Sequence, residues 1–158
     1  MKQLVIKTLV LGMCQTNCYL VYNRDTKEGW IVDPADQAQL IVDQCGNIGM
    51  KPQAILLTHG HFDHMTAAGQ VKVHFGIPVY AGEKEKGLLA DSMMNLSGAW
   101  ASPVTMAADV WVTKDSQLEL AGCRIRVLET PGHTPGGVSY YIPQEELLFS
   151  GDTLFCES

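Results

Sequence analysis

The stretch "LLTHGHFDHM" (residues 56–65) places three of the chain's five histidines and one aspartate within six positions. Imidazole and carboxylate groups are common zinc ligands. His59 and His61 are two residues apart at the end of an apolar strand, so their side chains point to the same side and can hold one ion together. Asp63 and His64 follow where the chain bends into a predicted helix and would face a second point. The stretch therefore predicts parts of two adjacent metal sites.

Two further segments supply more candidate ligands. His133 lies in "ETPGHTPGG" (residues 129–137), a Pro/Gly-rich turn of the kind that holds a histidine rigidly. Asp152 ends an apolar strand, and a carboxylate there is costly to bury unless it is paired or bound to metal. A carboxylate can also bridge two cations, with one oxygen on each. His74, near the end of a predicted helix, is interpreted as an ordinary polar residue.

Strands and helices alternate around these segments, which predicts one α/β domain over residues 1–158. Helical spacing over residues 36–47 predicts a helix that ends at Gly46 and Asn47. A second helix is predicted for residues 64–76, with Gly76 and Pro78 as stop signals. Strands are predicted at residues 3–11, 18–23, 29–35, 53–59, 77–82, 111–113, 117–120, 123–130, 137–143 and 146–152.

Residues 83–110 are harder to interpret, because they begin with a helical pattern and continue as a loop. Met93, Met94 and Trp100 in this segment are interpreted as part of the core. The alternative is a wall over a substrate cleft.

The composition is typical of a globular protein, with 46% hydrophobic and 18% charged residues. The formal net charge of −6 argues against a nucleic-acid partner, which would need a basic face. No apolar stretch approaches the roughly 20 residues that cross a bilayer, and Lys7 interrupts the apolar start of the chain. We therefore expect a cytoplasmic protein with no membrane partner. Five scattered cysteines are expected to be reduced thiols, mostly buried.

The pattern Thr58-His59-Gly60-His61-Phe62-Asp63-His64 resembles the T-H-x-H-x-D-H motif of the metallo-β-lactamase superfamily. The segments "GHTPGG" around His133 and "SGDTLF" around Asp152 resemble that family's next two motifs, in the same order. The segments "TNCYLVY" and "IVDPA" are similar to its first strands, so that the resemblance covers essentially the whole chain. Within the superfamily, the chain looks most like small proteins of the hydroxyacylglutathione hydrolase (glyoxalase II) type.

The resemblance implies an αββα sandwich with a site for two divalent metal ions at one edge of its sheets. His59, His61 and His133 would bind the first ion, Asp63 and His64 the second, and Asp152 would bridge them. Zinc is the expected metal, although the same ligands suit iron or manganese. Asp33 resembles a family aspartate that supports the site. The alternative interpretation of Asp33 is a residue that starts a helix before Pro34.

The function that the resemblance implies is hydrolysis of a thioester such as S-acylglutathione. Two cations that share a hydroxide provide a nucleophile at neutral pH, and Asp63 is expected to orient that hydroxide and manage its proton. Thr58 and Thr134 are expected to support the ligands. Class B β-lactamases usually lack an acidic bridge between their metals, so Asp152 counts against antibiotic hydrolysis.

The chain departs from the family at its C-terminal end. It stops at "GDTLFCES", and no histidine follows His133 to complete the second metal site. We expect the fold to be C-terminally truncated relative to the family, with a weaker second site. Two alternatives therefore stay open: a persulfide dioxygenase-like oxidoreductase with one iron held by His59, His61 and Asp152, and an inactive metal-binding fragment. The sequence also leaves open whether the chain forms a homo-oligomer.

Overall fold

The computed structural model describes residues 3–11, 16–58, 67–85, 108–130, 137–150 and 153–156. The α/β class predicted from the sequence is confirmed, because strands in these ranges form two sheets and helices pack on one of them. The two sheets lie face to face. The described part of the chain therefore contains a helical layer, a mixed sheet and an antiparallel sheet.

The first sheet has six strands in sequence order, and its second half is parallel. The pairs β1–β2 and β2–β3 are antiparallel, whereas β3–β4, β4–β5 and β5–β6 are parallel. Parallel neighbours end at the same edge of a sheet, so residues that follow β3, β4 and β5 are brought together there. The strands are β1 (Leu4–Leu11), β2 (Thr16–Asn23), β3 (Glu28–Val32), β4 (Lys51–Leu56), β5 (Val79–Gly82) and β6 (Val110–Val112).

The second sheet is antiparallel, in the order β11-β10-β9-β8-β7. In β8, buried Cys123, Ile125 and Val127 alternate with exposed Arg124 and Arg126, as the predicted half-buried strand requires. The strands are β7 (Gln117–Leu120), β8 (Cys123–Glu129), β9 (Val138–Ile142), β10 (Leu147–Ser150) and β11 (Thr153–Cys156).

Two helices, α1 (Ala38–Ile48) and α2 (Ala68–Phe75), pack against each other over the first sheet. The predicted end of the first helix at Gly46 and Asn47 is wrong, because α1 continues to Ile48. Gly49 ends it at φ 79°, and its N–H donates to the Cys45 carbonyl oxygen at 2.9 Å. This left-handed conformation favours a residue without Cβ, whereas a glycine inside a helix costs only about 1 kcal/mol. Neither helix, nor any other in the described ranges, is long and apolar enough to cross a membrane.

Residues 83–110 open with a short 3-10 helix at Glu83–Glu85, which agrees with the helical start of that segment. Residues 86–107, and with them Met93, Met94 and Trp100, lie outside the described residues. A second 3-10 helix, Pro143–Glu145, connects β9 to β10.

The first sheet has a hydrophobic core on each face. In β3, the side chain of Ile31 packs towards the helices, whereas Trp30 and Val32 pack towards the second sheet. Ile55 and Leu56 divide in the same way in β4. Each of these side chains is fully buried, which is worth roughly 1.5–3 kcal/mol per large apolar side chain. Burial on both faces explains why these strands are continuous apolar runs in the sequence.

The strands β2 and β3 approach closely at Gly29. A Cβ atom at that position would lie 1.8 Å from the Val21 carbonyl oxygen. The register with β4 also shifts between Gly29 and Ile31. Glycine is therefore required by space here.

Three of the five cysteines, Cys18, Cys45 and Cys123, are free and buried in the described residues, as the sequence predicted. Burial raises the pKa of Cys45 to about 12 and that of Cys18 well above its ordinary value. These thiols therefore stay protonated at neutral pH and behave as small apolar side chains.

Candidate metal centre

The six predicted metal ligands, His59, His61, Asp63, His64, His133 and Asp152, all lie outside the described residues. The structure does describe the residues on both sides of each ligand-bearing segment. The ligands belong to three segments, residues 59–66, 131–136 and 151–152. The contacts of the flanking residues show how the ends of these segments are connected.

The first segment starts directly after Thr58, and a buried carboxylate holds this threonine. The Thr58 backbone N–H donates to Asp33 Oδ1 at 2.9 Å, and its hydroxyl oxygen lies 2.7 Å from Asp33 Oδ2. Asp33 is completely buried and Thr58 is 1% exposed. A buried carboxylate is tolerated when donors satisfy it, and here two donors come from one residue.

Asp33 therefore acts on the residue that precedes His59, which agrees with its expected supporting role. It does not begin a helix, because α1 starts only at Ala38. Asp33 has a left-handed backbone conformation, with φ at 50°, and aspartate tolerates this conformation better than most residues. Its N–H donates to the Leu56 carbonyl oxygen at 3.0 Å, which ties the ends of β3 and β4 together.

The second segment, residues 131–136, is closed at its base and joined to the first. The Thr130 N–H donates to the Gly137 carbonyl oxygen at 2.9 Å, so both ends of the segment that carries His133 are adjacent. The Val138 N–H donates to the Thr58 carbonyl oxygen at 2.8 Å. This hydrogen bond connects the two sheets beside the segments of His59 and His133.

The third segment follows β10 at the same edge. Phe149 of β10 pairs with Tyr140 of β9, and the Tyr140 hydroxyl donates to the Leu57 carbonyl oxygen at 2.7 Å. Asp152 follows Phe149 by three positions in the sequence. Hydrogen bonds and strand pairing therefore connect the described residues that flank the three ligand-bearing segments.

The Asp33 carboxylate affects the pKa of two buried groups, Tyr140 and Cys18. Burial raises the pKa of the Tyr140 hydroxyl well above its ordinary value, and the Asp33 carboxylate raises it further. The same two causes, in the same order, raise the pKa of Cys18. Both groups therefore stay neutral at neutral pH.

An ion pair lies at the same sheet edge. Lys84 Nζ is 3.5 Å from Glu129 Oε1, and these two side chains are 67% and 28% exposed. Neither of these two residues, nor Tyr140, was predicted from the sequence as part of the site. The position of Lys84 just after a strand of the parallel half was an available signal, whereas the Tyr140 contact spans 83 positions and no local pattern encodes it.

Two further predictions from the sequence concern His74 and Thr134. His74 is exposed near the end of α2 and makes an edge-on contact with the Phe75 ring, with centroids 4.8 Å apart. This agrees with its interpretation as an ordinary polar residue. Thr134 lies outside the described residues. Within the described ranges, no three His, Cys, Asp or Glu residues are grouped to hold a metal ion.

The donor set fits divalent metal ions in its chemistry. Imidazole and carboxylate ligands suit zinc, iron or manganese, and the hydrogen bonds at Thr58 and Val138 bring the starts of the segments that carry them together. Such buried hydrogen bonds are the usual means of fixing a ligand-bearing loop.

Comparison with known families identifies the superfamily to which the chain is similar. The model of the metallo-beta-lactamase superfamily matches residues 11–157. Among curated proteins, "Probable metallo-hydrolase YqgX" of Bacillus subtilis is 38% identical over 151 residues, covering 94% of this chain and 71% of that protein. "Hydroxyacylglutathione hydrolase GloC" of Haemophilus influenzae is 32% identical over 153 residues, covering 95% of this chain and 72% of that protein.

Solved structures give the same result. BLEG-1, described as a B3 metallo-beta-lactamase, is 41% identical with a TM-score of 0.87, covering 92% of this chain and 71% of its own. TTHA1623, solved in a di-iron-bound form, is 31% identical with a TM-score of 0.77, covering 96% of this chain and 74% of its own. The chain therefore spans about 70% of the length of these relatives.

Proposed function

This chain belongs to the metallo-beta-lactamase superfamily, a superfamily of metallo-hydrolases, and we propose that it hydrolyses thioesters of the S-acylglutathione type. The observation that carries the metal centre of this proposal is the Val138 to Thr58 hydrogen bond at 2.8 Å, because it joins residues that flank the segments of His133 and His59. The similarity to the hydroxyacylglutathione hydrolase of Haemophilus influenzae supports the thioester as substrate class.

Two metal ions would be held by six side chains of this chain. We propose that His59, His61 and His133 bind one ion, that Asp63 and His64 bind a second, and that Asp152 contacts both. Zinc is our first choice, with iron or manganese as alternatives. The superfamily binds two divalent metal ions, and a relative of this chain has been solved with two irons. Bound ions of this kind lower the pKa of water to about 7 and so supply hydroxide at neutral pH.

The chain's own residues position the reactants. Asp63 would accept a proton from the attacking water and orient it towards the thioester carbonyl. Asp33 would hold Thr58, and through it the backbone that enters His59. The Tyr140 hydroxyl would hold the adjacent Leu57. A rigid entry to the ligand-bearing segment matters, because displacement of a catalytic group by about 1 Å can cost 100-fold in rate.

The proposal is tested by release of free thiol from S-acetylglutathione, with the 158-residue chain loaded with zinc. We expect thiol release that the variant Asp63→Ala lowers mainly in kcat, by roughly 100-fold or more. Asp25→Ala is the matched control, because Asp25 is an exposed aspartate in the β2–β3 turn at the opposite edge of the first sheet. An Asp63→Ala variant with unchanged kcat would contradict the role of Asp63, and absence of thiol release would contradict the function.

A β-lactam ring is the second candidate substrate, because BLEG-1 is 41% identical and is described as a B3 metallo-beta-lactamase. The expected acidic bridge at Asp152 counts against it. Hydrolysis of a cephalosporin, followed by its absorbance under the same conditions, decides between the two. A kcat/KM larger for the cephalosporin than for S-acetylglutathione would favour the lactamase.

The remaining alternatives are separated by simple measurements. Oxygen uptake with glutathione persulfide, together with one equivalent of iron, would favour the dioxygenase-like oxidoreductase. Metal binding without any turnover would favour an inactive fragment. We expect the protein to work in the cytoplasm without a nucleic-acid or membrane partner. Sedimentation measures whether it forms a homo-oligomer.

A further inference from the structure

Lys84 lies at the sheet edge where the ligand-bearing segments begin. The 3-10 helix Glu83–Glu85 directly follows β5, and β5 runs parallel to β4. The Leu57 N–H donates to the Tyr80 carbonyl oxygen at 2.9 Å, so the next residues of both strands advance to the same edge. Lys84 is therefore carried past the end of β5, as His59 is carried past the end of β4.

The contact with Glu129 locates the ammonium group more closely. Lys84 Nζ is 3.5 Å from Glu129 Oε1. Glu129 pairs with Val138 across β8 and β9, and Val138 donates to Thr58. The ammonium group thus lies beside the base of the His133 segment and is connected through it to the residue before His59.

The ion pair leaves Lys84 available for a ligand. The Lys84 side chain is 67% exposed, and its separation from Glu129 is long for a charge-assisted hydrogen bond. An exposed pair of this kind adds little to stability, so its loss costs the fold almost nothing. A positive charge beside a binding site attracts anionic ligands, and this attraction matters in a protein whose net charge is −6.

We propose that Lys84 is a specificity-determining residue that selects thioesters whose thiol portion carries a carboxylate, by pairing its ammonium group with that carboxylate. Glu129 opposes the selection, since its carboxylate competes for the same ammonium group. The proposal rests on the proposed thioester hydrolysis and names a residue that would recognise the thiol portion of the substrate. It requires no change in the chemistry at the metal ligands.

The test compares an anionic with a neutral thioester, S-acetylglutathione and N,S-diacetylcysteamine, on the zinc-loaded 158-residue chain. Lys84→Met should raise KM for S-acetylglutathione about two- to five-fold and leave KM for the neutral thioester unchanged. Glu129→Gln should lower KM for S-acetylglutathione and leave KM for the neutral thioester unchanged. Added salt should reduce the difference between wild type and Lys84→Met, because it screens exposed charges.

Lys51→Met is the matched control, since Lys51 is an exposed lysine at the start of β4, at the opposite edge of the sheet. It should leave both KM values unchanged. If Lys84→Met changed KM for both thioesters equally, or for neither, Lys84 would have no part in selection. A Lys51→Met variant with the same effect as Lys84→Met would also overturn the proposal, because it would show a general charge effect.

A binding measurement separates this proposal from the proposed function. S-methylglutathione has the same carboxylates but no thioester, and its dissociation constant is measured by calorimetry. We expect Lys84→Met to raise it about two- to five-fold even if no thioester is hydrolysed. Equal dissociation constants for wild type and Lys84→Met, or no binding to the wild type, would overturn the role of Lys84. Absence of hydrolysis with preserved selective binding would overturn only the function.

Discussion

Replacement of Asp33 by alanine should destabilise the protein strongly, although Asp33 is not an expected metal ligand. The two hydrogen bonds between the Asp33 carboxylate and Thr58 measure 2.9 and 2.7 Å, and both residues are buried. Hydrogen bonds to a charged group contribute roughly 1.5–3 kcal/mol each. Alanine would also have to adopt the left-handed backbone at φ 50°, which costs roughly 1 kcal/mol.

The lower ends of these contributions sum to about 4 kcal/mol, which is the loss in the free energy of unfolding that we expect for Asp33→Ala. Asp33→Asn should cost less, about 1–2 kcal/mol. Its amide oxygen can still accept the Thr58 N–H, and its amide group can donate to the Thr58 hydroxyl oxygen. Asparagine also tolerates the left-handed backbone.

The assay is urea unfolding of the metal-free protein, monitored by circular dichroism. With a denaturant dependence of about 2 kcal/mol per molar, Asp33→Ala should lower the midpoint by roughly 2 M. Asp36→Ala is the control, because Asp36 is exposed and should change stability by no more than about 0.5 kcal/mol. Equal midpoints for Asp33→Ala and Asp36→Ala would refute the reasoning.

A second measurement on the same variants connects this contact to the metal centre. Asp33→Asn should weaken zinc binding about 10- to 100-fold in competition with a chromophoric chelator, because Thr58 leads directly into His59. Unchanged zinc affinity would show that the Asp33 contact serves folding alone.

Three further predictions concern other parts of the fold. Gly29→Ala should lower the free energy of unfolding by about 3 kcal/mol or prevent folding, because the new Cβ would lie 1.8 Å from the Val21 carbonyl oxygen. Thermal unfolding and soluble yield measure this loss, and a wild-type melting temperature would contradict the prediction. Tyr140→Phe should lower the free energy of unfolding, measured by urea, by about 1–3 kcal/mol, because the buried Leu57 carbonyl oxygen loses a donor at 2.7 Å. Unchanged stability would argue against this hydrogen bond. The third prediction concerns pH. Hydrogen bonding to the lysine of α2, and then to the backbone, lowers the pKa of Asp109. Its ionised form therefore adds a small stability above about pH 4, the unfolded value, which is lost as pH falls through the lowered pKa. The urea midpoints of wild type and Asp109→Asn should converge as the solution is acidified, and a gap that widens would contradict this.

Local sequence patterns predicted much of the fold. The strands around Ile31 and Ile55 followed from continuous apolar runs, and β8 followed from its alternation of apolar and charged residues. The end of α1 was predicted wrongly, because Gly46 and Gly49 offer similar local signals. Packing decided between them: Cys45 is buried against the sheet, and helix formation continues until the chain can turn at Gly49.

Sequence alone determined the chemistry of the candidate centre, because the side chains and their spacing are covalent properties of the chain. Histidines two positions apart at a strand end, and carboxylates after apolar runs, already predict metal ligands. The identification of Asp33 as a supporting residue also came from sequence, through the resemblance.

Only the tertiary structure showed which residues beside the ligand-bearing segments are in contact. The contacts of Asp33 with Thr58 and of Tyr140 with Leu57 join residues 25 and 83 positions apart. The position of Lys84 beside Glu129 likewise depends on how the second sheet packs on the first. Local preferences act over a few residues and cannot specify such pairs, which form only when burial of the shared core brings both sheets into one register.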